Sequence, residues 1–322
     1  MALGGMALAL FTLAALGAAA TGAGADPLVY VSNERSNSVT VINAATDKVV
    51  ANVPVGNRPR GIAVSPDGRT VYVALGQDNV IAVLDAVSRT VKARFAAGSD
   101  PETFALSPDG TRIYVSNEDA NTASVIDTKT GKVIATIPVG TEPEGVAVSP
   151  DGKLVYVTAE TTHTISVIDT SLLKTVGTLL VGSRPRESAF TPDGRRAFVT
   201  AEIGGAVSVI DVARNAVVGT VKLDRPSPPK PKGVVVHPSG KWAYVANGGS
   251  NDVAVIDVEG LRVAGFIPVG TRPWGLGITG DGKKLYVANG VSDSVSVIDT
   301  AGQKVVATVS VEKMPWGIAV GR

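Results

Sequence analysis

The chain repeats one unit seven times. An aromatic–valine pair recurs at Tyr30-Val31, Tyr72-Val73, Tyr114-Val115, Tyr156-Val157, Phe198-Val199, Tyr244-Val245 and Tyr286-Val287. Successive pairs stand 42 residues apart, except for one interval of 46. A unit this short cannot bury its own apolar face, so its copies must stack on one another. Each copy holds four β-rich runs, here strands A to D, which in the second copy cover 61–64, 70–73, 80–85 and 90–96. The A–B turn is Ser65-Pro66-Asp67-Gly68, where Pro pre-sets φ and the closing Gly suits a type I turn. It recurs at 107–110, 149–152 and 191–194, then drifts to His237-Pro238-Ser239-Gly240 and Thr279-Gly280-Asp281-Gly282. Seven four-stranded units with no competing helical period predict an all-β, seven-bladed β-propeller of antiparallel blades. The C-terminal strand A (317–320) should join the N-terminal strands and close the ring.

Composition narrows the chemistry. Aromatic residues are 5% of the 322, so the core must rest on Val, Ile, Ala and Leu. A net charge of +1 argues against a nucleic-acid partner, which needs a basic excess. The absence of Cys excludes disulfides, Cys-ligated zinc, iron–sulfur clusters and covalent haem. Residues 1–25 carry no charged side chain, are mostly Ala, Leu and Gly, and end Ala23-Gly24-Ala25. They read as a secretory signal peptide, with the propeller over 26–322 and a periplasmic or otherwise exported location. The usual basic start is missing, the first cation being Arg35, and a retained apolar anchor is the alternative. After cleavage no membrane span is expected, and a closed ring with protected edges predicts a monomer.

The Tyr-Val-Ser-Asn, Tyr-Val-Ala-Asn and Val-Ile-Asp-Thr units resemble YVTN-type β-propeller repeats across 27–322. Several loops are similar to those of the propellers associated with PQQ-dependent alcohol catabolism: Val31-Ser32-Asn33-Glu34, Asn57-Arg58-Pro59-Arg60-Gly61, Ser99-Asp100-Pro101-Glu102, Glu160-Thr161-Thr162, Glu202-Ile203-Gly204-Gly205 and Asn289-Gly290-Val291-Ser292. That resemblance implies an exported accessory protein working beside a periplasmic quinoprotein dehydrogenase, with PQQ a candidate ligand. It implies no reaction.

Variation between units gathers on the face that carries the B–C and D–A connections. The residue just before strand A should ring the channel mouth, and reads Arg60, Glu102, Glu144, Arg186, Lys232, Trp274 and Trp316. Two residues earlier stand Arg58, Asp100, Glu142, Arg184, Lys230, Arg272 and Met314. A repeat built only for stability does not need an acidic sector beside a basic and aromatic one. Arg60–Glu102 and Glu144–Arg186 are alternatively neighbouring-blade salt bridges that pin the ring. Trp274 and Trp316 either share a pocket with Arg58 and Arg60, suited to a flat anionic ligand, or plug the channel. The B–C loops add Glu34, Glu118, Glu160 and Glu202, which are oxygen ligands for a hard cation or simply solvated carboxylates. Arginines flanking Glu102 and Glu144 should lower both pKa values, which argues against an acid–base pair.

The insertion 224–232 brings four prolines to the same face, as a pocket wall or docking loop. Two functions follow. The first is a non-catalytic binding propeller, taking a small aromatic or anionic ligand, or a protein partner, on Arg58, Arg60, Glu102, Glu144, Arg186, Lys232, Arg272, Trp274 and Trp316. The second is a hydrolase, since some similar seven-bladed propellers are lactonases, and it would use Glu102, Glu144, Arg186 and His163.

Overall fold

The computed structural model describes residues 1–2 and 27–321. The expected leader falls outside them, apart from its first two positions. Among the described residues, seven four-stranded antiparallel sheets form the blades, and no helix is present. Blades 2 to 7 take residues 59–96, 101–138, 143–180, 185–222, 231–268 and 273–310 in turn. Blade 1 takes residues 28–54 as strands B to D and Pro315–Val320 as strand A, so the C-terminus closes the ring.

Alternation along strands B and C buries both faces against neighbouring blades. One apolar cluster, for example, joins Tyr30, Val39 and Val41 of blade 1 to Val71, Val73 and Leu84 of blade 2. The repeated aromatic of strand B is buried in all seven copies. The D strands alternate toward solvent and carry the exposed valines of the rim.

Two local features aim the mouth residues. Strand A starts two residues earlier than the apolar pattern implies, at the proline, so the ring residues lie within it. There its register against strand B shifts by one residue, between Pro59 and Ile62 in blade 2 and at the equivalent place in every blade. Such a bulge turns a side chain out of the ladder, and it carries Arg60 and its six counterparts. Hydroxyls on strand B then clamp the ring residue of the next blade by its carbonyl. Ser32 donates to Arg60 at 2.5 Å, Ser116 to Glu144 at 2.5 Å, Thr158 to Arg186 at 2.9 Å and Thr200 to Lys232 at 2.6 Å.

The residue two places before the ring is left-handed in all seven blades, with φ between 49° and 60°. Its N–H is held by a side chain of the preceding B–C turn: Asn37 holds Arg58, Asn79 holds Asp100, Asn121 holds Glu142 and Asn251 holds Arg272. In blade 4 that turn residue is His163, whose Nδ1 lies 2.8 Å from the Glu160 carbonyl oxygen and 3.2 Å from the Arg184 amide nitrogen. His163 is thereby accounted for as a turn cap, and its expected place among hydrolase catalysts is not supported by its position.

Candidate functional site

The charged residues of the mouth form two interlocked networks. In the first, Arg58 and Arg60 each take one oxygen of Glu102, whose side chain is fully buried. Arg58 Nη2 lies 2.7 Å from Oε1, and Arg60 Nη1 holds Oε2. Arg58 also pairs with Asp100, and Arg60 Nη2 lies 3.4 Å from Glu34. In the second network Arg186 Nη2 lies 3.0 Å from Glu144 and Nη1 contacts Glu160. Arg184 adds a 2.6 Å pair with Glu160, and Lys232 contacts Glu202. The salt-bridge reading of Arg60–Glu102 and Glu144–Arg186 thus describes the geometry. Separate acidic and basic sectors do not form, because neighbouring blades bring opposite charges together.

Burial sets the titration of these groups more than the arginines do. It pushes the Glu102 carboxyl up, and the nearby Glu144 carboxylate adds to that, against Arg60 and Arg58. The expectation that flanking arginines would win at Glu102 fails here, because a charge taken out of water loses more than its partners return. Burial and the Arg186 guanidinium pull the Lys232 ammonium down to about 7, against its contact with Glu202. Burial alone would raise Glu202, but Lys232 and the two arginines hold it below the usual carboxylate range.

The tryptophans meet at the axis. Their ring centroids are 5.7 Å apart, with Trp316 buried and Trp274 partly exposed. Cations surround Trp274: Lys232 Nζ at 4.2 Å, the Arg272 guanidinium at 5.1 Å and that of Arg186 at 5.2 Å. Arg60 stacks at 5.7 Å on Trp316. This is closer to a roof over the channel than to two open indoles beside Arg58 and Arg60. Both of those guanidinium groups are taken by carboxylates. Among the described residues Arg272 and, in the neighbouring B–C turn of blade 1, Arg35 are arginines of this face with no ion pair.

Asp100, Glu102 and Glu118 bring carboxylate oxygens within 4.8 Å of one another. Arg58 and Arg60 already supply positive charge to the first two, the part a metal cation would play. The proline-rich insertion is tied to blade 6: Arg225 Nε reaches the buried Asp252 at 2.9 Å and stacks on Phe266 at 4.4 Å.

One residue at the axis has no counterpart in the expected set. Glu187 follows Arg186 in strand A, at a place occupied by Gly61, Thr103, Gly145, Gly233, Gly275 and Gly317 in the other blades. Glu187 keeps part of its surface open at the axis, yet desolvation pushes its carboxyl up to about 8, with the Glu144 charge adding to the effect and the Ser188 N–H and Arg186 opposing it. The signal was present in the repeat alignment, one column beyond the ring residues.

A family described as "Lactonase, 7-bladed beta-propeller" matches residues 25–137 and 170–316, well over half of the chain. A second, "YNCE-like beta-propeller", matches 96–192. No curated protein matches the chain. Among solved structures, the hydrazine synthase of Kuenenia stuttgartiensis is similar at 25% identity with a TM-score of 0.75, covering 81% of this chain and 89% of that one. A putative 6-phosphogluconolactonase from Bacteroides fragilis superposes with a TM-score of 0.79 at 20% identity, covering 94% and 99%. A functionally unknown protein from Desulfotomaculum acetoxidans does so with 0.79 at 18%, covering 92% and 99%. The family match overturns the expectation of a non-catalytic binding protein and favours the hydrolase alternative. With its seven closed blades and this match, the chain belongs to the seven-bladed β-propeller lactonase family.

Proposed function

We propose that the protein is a lactone hydrolase working at the channel mouth formed by the D–A and B–C connections. The observation that carries this reading is the match to the lactonase family on both sides of residues 138–169. The mouth is compatible with it. Most of its charges neutralise one another and keep the strand A bulges in place, while Arg272 and the partly exposed face of Trp274 stay available. Next to Arg272 lies a crevice of about 440 Å³ bounded by Val291, Met314, Arg35 and the ion-paired Asp293 and Lys313. A guanidinium beside an aromatic and an aliphatic wall suits a lactone that carries an anionic group.

The test is a panel of lactones followed by acid release: γ-butyrolactone, glucono-δ-lactone and 6-phosphogluconolactone. Turnover of at least one is expected, and no turnover of any rejects the reading. Arg272→Ala is expected to raise KM for the phosphorylated lactone about tenfold, the worth of one charge-assisted contact, and to leave KM for γ-butyrolactone unchanged. An equal effect on both substrates would remove Arg272 from anion recognition.

Residues 1–25 support export, and the loop residues quoted above support a place near the PQQ-associated propellers within the family. Fractionation of cells expressing the full chain is expected to yield a periplasmic protein beginning at Asp26. A cytoplasmic protein with Met1 intact would reject export.

A further inference from the structure

The third residue of strand A faces the axis, and crowding largely reserves that position for glycine. A Cβ would come within 2.6 Å of the Trp274 carbonyl oxygen at Gly233, 2.3 Å of that of Trp316 at Gly275 and 2.6 Å of that of Arg60 at Gly317. Blade 5 nevertheless places Glu187 there. No ion pair holds it among the described residues, and its Oε1 accepts only the N–H of the next residue, Ser188, at 3.2 Å. A carboxyl with no structural partner, in a column built for glycine, is hard to explain by packing.

Around it lies a cavity of about 170 Å³, lined by strand A residues of six blades. Its walls include Phe104, Val234 and Leu276, and its polar lining includes Glu187, Ser188 and Trp316. That volume is several times the roughly 30 Å³ a water occupies in the liquid. Ser188 Oγ and Trp316 Nε1 are buried without a hydrogen-bond partner, on residues 4% and 6% exposed. Unpaired buried donors are costly in a finished core, and here they belong to side chains that line one cavity.

We infer that the axial cavity holds the scissile ester, with Glu187 the general acid and Trp316 Nε1–H and Ser188 Oγ–H the donors available to the ester oxygens. This rests on the lactonase reading and places its chemistry. Water adds to the carbonyl carbon, and the bond from that carbon to the ring oxygen breaks with its electron pair passing to the ring oxygen. That oxygen takes the Glu187 proton, and the proton shed by the added water restores the carboxyl. One water is consumed and a hydroxy acid leaves. The raised affinity of Glu187 for its proton keeps the acid form populated at neutral pH.

Glu187→Gln, assayed on whichever lactone the wild-type protein turns over best, tests the assignment. The expected result is a fall in kcat of about a hundredfold or more, the usual worth of a general acid, with KM within about twofold. Wild-type kcat should decline above about pH 8, and that decline should be missing from the residual activity of the variant. Unfolding in urea supplies a readout free of turnover. Because the folded pKa lies above the unfolded one, wild-type stability should fall between about pH 4.5 and about pH 8, and Glu187→Gln should make that fall shallower, leaving the share of Glu102, whose carboxyl is also pushed up. Indole N–H signals, followed while the hydroxy-acid product is titrated in, should show Trp316 shifting. A variant with wild-type kcat and the same alkaline decline would overturn the assignment, as would a Trp316 signal unmoved at saturating product. If the wild-type protein hydrolyses no lactone, the lactonase reading itself has failed, which is a different outcome from an active enzyme indifferent to Glu187.

Discussion

Arg186→Ala is expected to destabilise the ring by about 3–5 kcal/mol, the usual result of removing one partner from a buried ion pair. Arg186 reaches Glu144, Glu160 and Glu202, whose side chains are 5%, 5% and 11% exposed, and it stacks over Trp274. Its loss strands three carboxylates from two adjacent blades close together with Lys232 and Arg184 as their remaining cations. Urea unfolding without substrate reads this directly. The loss should persist in high salt, because screening acts weakly on groups removed from solvent. A change below about 1 kcal/mol, the usual worth of an exposed pair, would mean that the network is solvated and contributes little to the ring.

Ending the chain at Met314 is expected to abolish cooperative folding. The deleted strand pairs with Leu28–Asn33 and supplies Trp316 and Ile318 to the axis and to the core between blades 7 and 1. Burial of those two side chains is worth about 5 kcal/mol together, comparable with the entire stability of an ordinary domain. The truncation also exposes the edge of the first strand, which then becomes a template for pairing with other chains. Broadened thermal unfolding and aggregation, followed by light scattering, are the expected signs. The seam has other ties, among them Tyr286 and Lys284 both bonded to Asp47 at 2.8 Å. A truncated chain that unfolds in one sharp, reversible transition would show that those ties hold the ring without the closing strand.

The fold was legible because it is written in local terms repeated seven times. Ser-Pro-Asp-Gly makes its turn with its own backbone: Ser65 accepts from the Thr70 N–H, and Asp67 accepts from the Arg69 N–H. Alternation along strands B and C needs only neighbouring blades of the same kind. The positions of Arg60, Glu102, Glu144, Arg186, Lys232, Trp274 and Trp316 around the mouth followed from the same period. What those residues do there was less legible. Whether Arg58 and Arg60 await a ligand or hold Glu102 depends on side-chain directions set by the strand A bulge, which sequence spacing places one residue off. His163 looked like chemistry by residue type, yet its ring nitrogen replaces the asparagine oxygen of four other turns. Glu187 was passed over because its column reads as glycine, and a column of glycines announces packing.

By itself, then, the sequence determined the number of blades, their strand order, the closure of the ring and the list of side chains brought to one face. These rest on short-range backbone chemistry and on a period that stacking must honour. Only the tertiary structure decided which charges cancel, that Trp316 is buried while Trp274 stays partly open, and that Glu187 stands beside unpaired donors at an axial cavity. Those outcomes depend on distances between blades up to half a ring apart, where burial rather than sequence neighbourhood sets the energy of a charge.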